Sequence, residues 1–91
     1  MKIRFPNAAL LYMANGAVAF RALVDGEEVV CEVSPEALED HFGARPTRAS
    51  RLAAFEEHRA RIETVALATI PQRLRDKRCQ LFSRDFGQAY A

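Results

Sequence analysis

Residues 9–33 read ALLYMANGAVAFRALVDGEEVVCEV, and two dipeptides in that stretch, Asn15-Gly16 and Asp25-Gly26, decide how the chain folds. Asn, Asp and Gly tolerate the positive φ of a two-residue hairpin loop, so each dipeptide predicts a tight reversal between antiparallel strands. The first loop would oppose Met13 with Val18, Leu11 with Phe20 and Ala9 with Ala22. The second would oppose Val24 with Glu27, Ala22 with Val29, Phe20 with Cys31 and Val18 with Val33. Opposed residues share a face of the sheet, as do alternate residues along a strand. Leu11, Met13, Val18, Phe20, Ala22, Val29, Cys31 and Val33 therefore gather on a core side. Leu10, Tyr12, Ala19, Arg21, Leu23, Glu28, Val30 and Glu32 fall on the reverse. A slip of one residue in either hairpin would exchange the faces of the strand concerned.

Beyond this three-stranded meander the pattern turns helical. Ser34 is suited to cap a helix, Pro35 to start it and Glu36 to meet its positive end. A short helix is predicted over Pro35–Phe42, stopped by Gly43 and anchored by Leu38 and Phe42. After a loop broken by Pro46, a longer helix should begin near Thr47 or Ser50. Pro71 disfavours helix before it, so this one should end by Ile70. Leu52, Phe55, Ile62, Ala66 and Ile70 make its apolar stripe, and Arg59 falls in the same stripe. Cys79, Leu81 and Ser83 alternate with Gln80 and Phe82 as a fourth strand. Ile3 and Phe5 suit a short edge strand beside Pro6, and Gly87–Ala91 is expected to fray. The fold expected is α+β, with residues 1–91 as a single domain in two layers. An antiparallel sheet of about four strands, meander first, carries two helices packed on one face.

Composition narrows the functional classes. Hydrophobic residues make up 49% of the 91-residue chain, enough for a core and too many for a disordered tail. A chain this short buries only about 60–65% of its extended surface. Two cysteines without metal-ligand spacing suggest free thiols in a reducing, cytoplasmic setting. Lys2 and Arg4 ahead of an apolar run could imitate a signal peptide. Pro6, Asn15-Gly16 and Arg21 interrupt that run, which is far short of the roughly 20 residues that span a bilayer. No membrane role is expected. Residues 1–43 carry three basic and seven acidic side chains, whereas residues 44–84 carry ten basic and four acidic ones. Such asymmetry suits either an anionic partner, head-to-tail self-association or a merely solvated helix surface.

The string Phe20 … Asp25-Gly26-Glu27 … Cys31 … Ser34-Pro35-Glu36-Ala37-Leu38-Glu39-Asp40-His41-Phe42-Gly43 … Phe55 … Arg59 … Ile62 … Ala66 resembles a bacterial family of unknown function, domain family 1488. The likeness covers Phe20 to Ala66, with an echo at Arg84-Asp85-Phe86, and is most specific from Cys31 through Gly43. It implies a small α+β domain of a cytosolic bacterial protein with no assigned activity, and it carries over no catalytic residues.

Several side chains invite a chemical role. Arg59, a cation in an apolar stripe, must find a carboxylate, reach solvent or meet an anion. Asp40, Glu39, Glu63 and Asp85 are its candidate partners. His41 and His58 would approach each other if the two helices pack side by side, and with Arg59 they form a candidate anion or polar site. Two histidines without a third ligand do not specify a metal, and nothing calls for a cofactor. Cys31 is expected in the core, where a thiol acts as a small apolar group. Arg45, Arg48 and Arg51 flank the start of the long helix, and Arg73, Arg75, Lys77 and Arg78 follow its end. No nucleic-acid recognition motif accompanies them, and no phosphate loop, nucleophile elbow or HExxH occurs. Leu10, Tyr12, Leu23 and Val30, on the face the helices leave open, are the candidate partner-binding residues. Together these favour a non-enzymatic interaction module whose partner is another protein or a second copy of the chain. The alternative is a weak nucleic-acid or anion binder acting through the arginines.

Overall fold

Asp25 and Gly26 take φ of 51° and 86°, the backbone that a two-residue reversal requires. In the computed structural model, which describes residues 1–87, they join β3 (Val18–Val24) to β4 (Glu27–Val33). Pairing follows the expected register, with Phe20 opposite Cys31 and Val18 opposite Val33. The first hairpin differs by one residue. Met13 donates to Ala17 O and its own carbonyl accepts from Gly16 N, enclosing a three-residue loop, Ala14–Gly16. Asn15 does not take positive φ; its side chain accepts from Ala17 N at 3.0 Å, and Gly16 alone turns at φ 91°. β2 (Leu11–Tyr12) consequently pairs Leu11 with Ala19 and Tyr12 with Val18. Leu11 therefore leaves the core side expected for it and is 53% exposed, whereas Tyr12 and Leu10 pack against the core.

The sheet has five strands and is mixed, where four antiparallel ones were expected. β1 (Ile3–Arg4) and β2 occupy the two halves of one edge of β3, so the sheet is four lanes wide. β5 (Arg78–Leu81) runs parallel to β4, aligning Cys31 with Cys79 and Val33 with Leu81. The connection between β4 and β5 explains the direction: it carries three helices and returns the chain to the end where β4 began. α1 (Pro35–Phe42) has the expected limits, with Ser34 Oγ accepting from Ala37 N and Gly43 at φ 69° closing its end.

The expected second helix is two. α2 (Arg48–Glu57) and α3 (Arg59–Arg73) meet at His58, whose N–H is shared between Ala54 O and Phe55 O. Phe55 and Ile62, seven residues apart with this break between them, are both fully buried. Pro71 does not end α3, which continues to Arg73. Pro71 lacks only the N–H that would reach Leu67 O, and Leu67 lies at the surface, so the loss is small there. A final 3-10 turn, Ser83–Phe86, sets Phe86 edge-on against Phe42 at 5.3 Å. One core results: Phe20, Ala22, Val29, Cys31, Val33, Cys79 and Leu81 from the sheet against Leu38, Phe55, Ile62 and Ile70 from the helices. Of the expected frayed end, everything after Gly87 lies outside the described residues.

Candidate functional site

The face of the sheet away from the helices is the first candidate. Strand alternation places Leu23 and Val30 there, both half-buried, beside exposed Arg21 and Glu28. Arg21 and Glu28 stand diagonally across the two strands with a 3.7 Å ion pair. The slipped hairpin adds Leu11 to this face and withdraws Leu10 and Tyr12 to the core side. The apolar set is thus Leu11, Leu23 and Val30. Between Leu11 and Val30 a shallow hollow opens, floored by Ala19 and edged by Arg21 and Glu28.

The two histidines and Arg59 are distributed around Phe42 and Phe55. His41, at the end of α1, stacks toward Phe86 at 5.9 Å, and His58, at the α2–α3 bend, lies 4.8 Å from the Phe42 ring. Each has its own polar neighbours: Ser83 for His41, and Glu57 at 4.0 Å for His58. Arg59 pairs with Glu56 and, at 3.7 Å, with Glu63, while its guanidinium lies 5.1 Å from the Phe55 ring centre. Glu63 was among its expected partners; Glu56 was not.

Ser83, His41 and Asp40 superficially suggest a nucleophile with base and orienting acid. The connectivity is wrong for that chemistry. Ser83 Oγ donates its one hydrogen to Asp40 at 2.7 Å, so the 3.2 Å contact with His41 Nε2 requires the imidazole to donate. A base must accept the nucleophile's proton, and the acid must hold the base; here the hydroxyl bridges the two. Cys31 offers no nucleophile either. Its hydrogen bond with Cys79 and its burial push the thiol well above its ordinary pKa.

The second candidate lies where α3 runs into β5. Arg75 and Arg78 oppose each other across a two-residue turn, exchanging both backbone hydrogen bonds at 3.0 and 2.9 Å. The turn residues, Asp76 and Lys77, have φ of 52° and 60°. Its geometry repeats the Asp25-Gly26 reversal without a glycine, which is why the sequence did not announce it. Beside it Arg73 grips Asp85, with Nη2 to Oδ1 at 2.8 Å and Nη1 to Oδ2, and Asp85 also accepts from Phe82 N at 2.7 Å. The Arg73 contact, reinforced by that backbone N–H, holds the Asp85 carboxyl below the usual aspartate range. A cleft of about 480 Å³ lies between these groups, lined by Arg73, Arg75, Arg78, Gln80 and Phe82 among others.

Arg51 is the structural residue that periodicity could not reveal. It reaches Tyr12 Oη at 2.8 Å and Glu39 at 2.6 Å, tying α2 to β2 and α1. Three ion pairs, Arg51–Glu39, Lys77–Glu27 and Arg78–Glu32, join bases of the second half to acids of the first. Part of the charge asymmetry is therefore spent within the fold. No three-residue cluster of His, Cys, Asp or Glu suited to a metal ion occurs among the described residues, and no helix there is long and apolar enough to cross a membrane.

Against known proteins, a family model described as a protein of unknown function (DUF1488) matches residues 3–82 of the chain. No curated protein and no solved structure matches.

Proposed function

We propose, from the premise that this chain belongs to the DUF1488 family of proteins of unknown function, that it is a non-enzymatic interaction module working through its uncovered sheet face. The occupant of that face is a second copy of the chain. The observation that carries this reading is the exposed position of Leu11 on the same sheet face as Leu23 and Val30, a face bearing charges of both signs. Arg21 and Glu28 sit on the same patch, so a two-fold axis through it can bring each residue against its opposite on the partner. An isologous interface needs that self-complementarity.

The dimensions suggest modest affinity. Two seven-residue strands, one of four residues and two of two present roughly 350 Å² in projection at ordinary strand spacings, small beside the ~800 Å² per partner of a standard interface. Self-association in the micromolar range is the expected outcome. Light scattering after size exclusion should show a concentration-dependent dimer, and Leu23→Glu should weaken it by about tenfold or more while circular dichroism stays unchanged. A protein that remains strictly monomeric at high micromolar concentration overturns the reading.

A further inference from the structure

We propose that the cleft between α3 and β5 binds a small phosphorylated ligand of nucleotide size, its phosphate held between Arg75 and Arg78. It stands on other residues than the sheet-face reading, although Arg78 is aligned with Val30 on that same face. Residues directly opposed across a hairpin share a face, so the two guanidinium groups project side by side, and both line the cleft. Like charges in that relation repel, and an anion between them reverses the sign of the interaction. Arginine forks match phosphate oxygens bidentately.

The groups around the pair divide the work. Arg73 is committed to Asp85, which fixes it as a wall of the site. Arg78 holds the nearly buried Glu32 through Nη1 at 3.3 Å while its own side chain stays 64% exposed, so it meets an anion with its remaining N–H groups and keeps that carboxylate paired. Arg75 is exposed and makes no ion pair among the described residues. The Phe82 ring meets the guanidinium groups of Arg73 at 5.7 Å and Arg84 at 5.0 Å. It braces the floor.

The chemistry beyond the phosphate follows from the remaining lining. Gln72, Gln80 and Asp76 supply amide donors and acceptors, with one carboxylate suited to hydroxyl groups. The cleft, about 480 Å³, falls within the ~300–1,000 Å³ range of small-molecule sites. A bare phosphate would leave most of it empty. The turn that presents the two arginines holds Asp76 and Lys77 in a left-handed backbone that non-glycine residues rarely adopt.

Amide NMR titration of the full chain tests this, using adenosine diphosphate, adenosine and inorganic phosphate as probes. The diphosphate should give saturable shifts grouped at Gln72–Arg78 and Gln80, adenosine none, and inorganic phosphate a weaker response at the same amides. Arg75→Ala, at an exposed turn position, should weaken diphosphate binding about tenfold, whereas Arg45→Ala and Leu23→Glu should leave it unchanged. Three results would overturn the proposal: no saturable shift at these amides at millimolar ligand, equal loss in Arg45→Ala, or unaltered binding in Arg75→Ala. Inorganic phosphate binding as tightly as the diphosphate would overturn the nucleotide-sized ligand. Because Arg75→Ala should still dimerise and Leu23→Glu should still bind, failure of one proposal is distinguishable from failure of the other.

Discussion

At Asp85 a single carboxylate ties α3 to the final turn. Its side chain is 9% exposed, gripped by Arg73 from α3 and by the Phe82 N–H that opens the final turn. A carboxyl held below its ordinary pKa binds fewer protons in the folded protein than in the unfolded chain. Its contribution is therefore complete above the unfolded value near 3.8 and is lost as pH falls through the depressed folded value. Asp85→Asn should cost roughly 2 kcal/mol at neutral pH. It should also flatten the stability curve below pH ~4, measured by urea unfolding across pH. An unchanged acid limb would mean that Asp85 titrates like a free carboxyl. Arg59 teaches a related lesson. Its position in the apolar stripe was plain from spacing, yet whether it met an anion or its neighbours depended on Glu56 and Glu63 lying within reach.

Among the elements, turns distinguish what local chemistry can specify. Gly16 and Gly26 both have positive φ, but only Gly16 is crowded. A Cβ there would meet Arg51 Nη1 at 2.5 Å, whereas nothing lies within 4 Å of the same atom at Gly26. Arg51 cannot easily swing aside, since Tyr12 and Glu39 hold both ends of its fork. Gly26→Ala should cost about 1 kcal/mol from backbone strain alone. Gly16→Ala should cost at least about 1 kcal/mol more, through overpacking. Comparable urea midpoints for the two variants would refute the difference. At the Asp76-Lys77 turn the logic runs the other way. Lys77→Gly relieves a φ of 60° and gives up only an exposed 3.3 Å pair with Glu27, so a gain of roughly 0.5–1 kcal/mol is expected. A loss in thermal denaturation would contradict it.

Across the whole molecule, the sheet and helices depend on one shared contact region. Phe55 is fully buried from α2, lies 5.0 Å from Phe20 of β3 and carries the guanidinium of Arg59 over its ring. Phe55→Ala should cost about 4 kcal/mol, a large part of the roughly 5–10 kcal/mol a domain of this size holds. The urea midpoint followed by circular dichroism should fall accordingly. A shift under ~1 kcal/mol would mean that the core repacks around the gap. Ion pairing is also a property of the whole: Arg51, Lys77 and Arg78 find acids far away in the chain. A net-charge map of the sequence therefore overstated the cationic surface left for partners. It also could not show that Arg75 and Arg78 would end up facing each other.

Local chemistry was sufficient wherever a feature closes on itself within a few residues. The Asp25-Gly26 reversal, the register of β3 with β4 and helix α1 from its Ser34 cap to Gly43 were all legible, because steric and hydrogen-bond preferences there need no distant partner. Features chosen by remote contacts were not. The first hairpin has three loop residues and presents Tyr12, not Leu11, to the core, where Arg51 meets Tyr12 from 39 positions away. The break at His58 has no glycine or proline to mark it, and Phe55 and Ile62 sit in one core on its two sides. The parallel entry of β5 and the paired arginines beside it follow from where three helices deliver the chain. Strand faces alternate with every residue, so a small tertiary preference that shifts one loop by a single position decides which side chains a partner can reach.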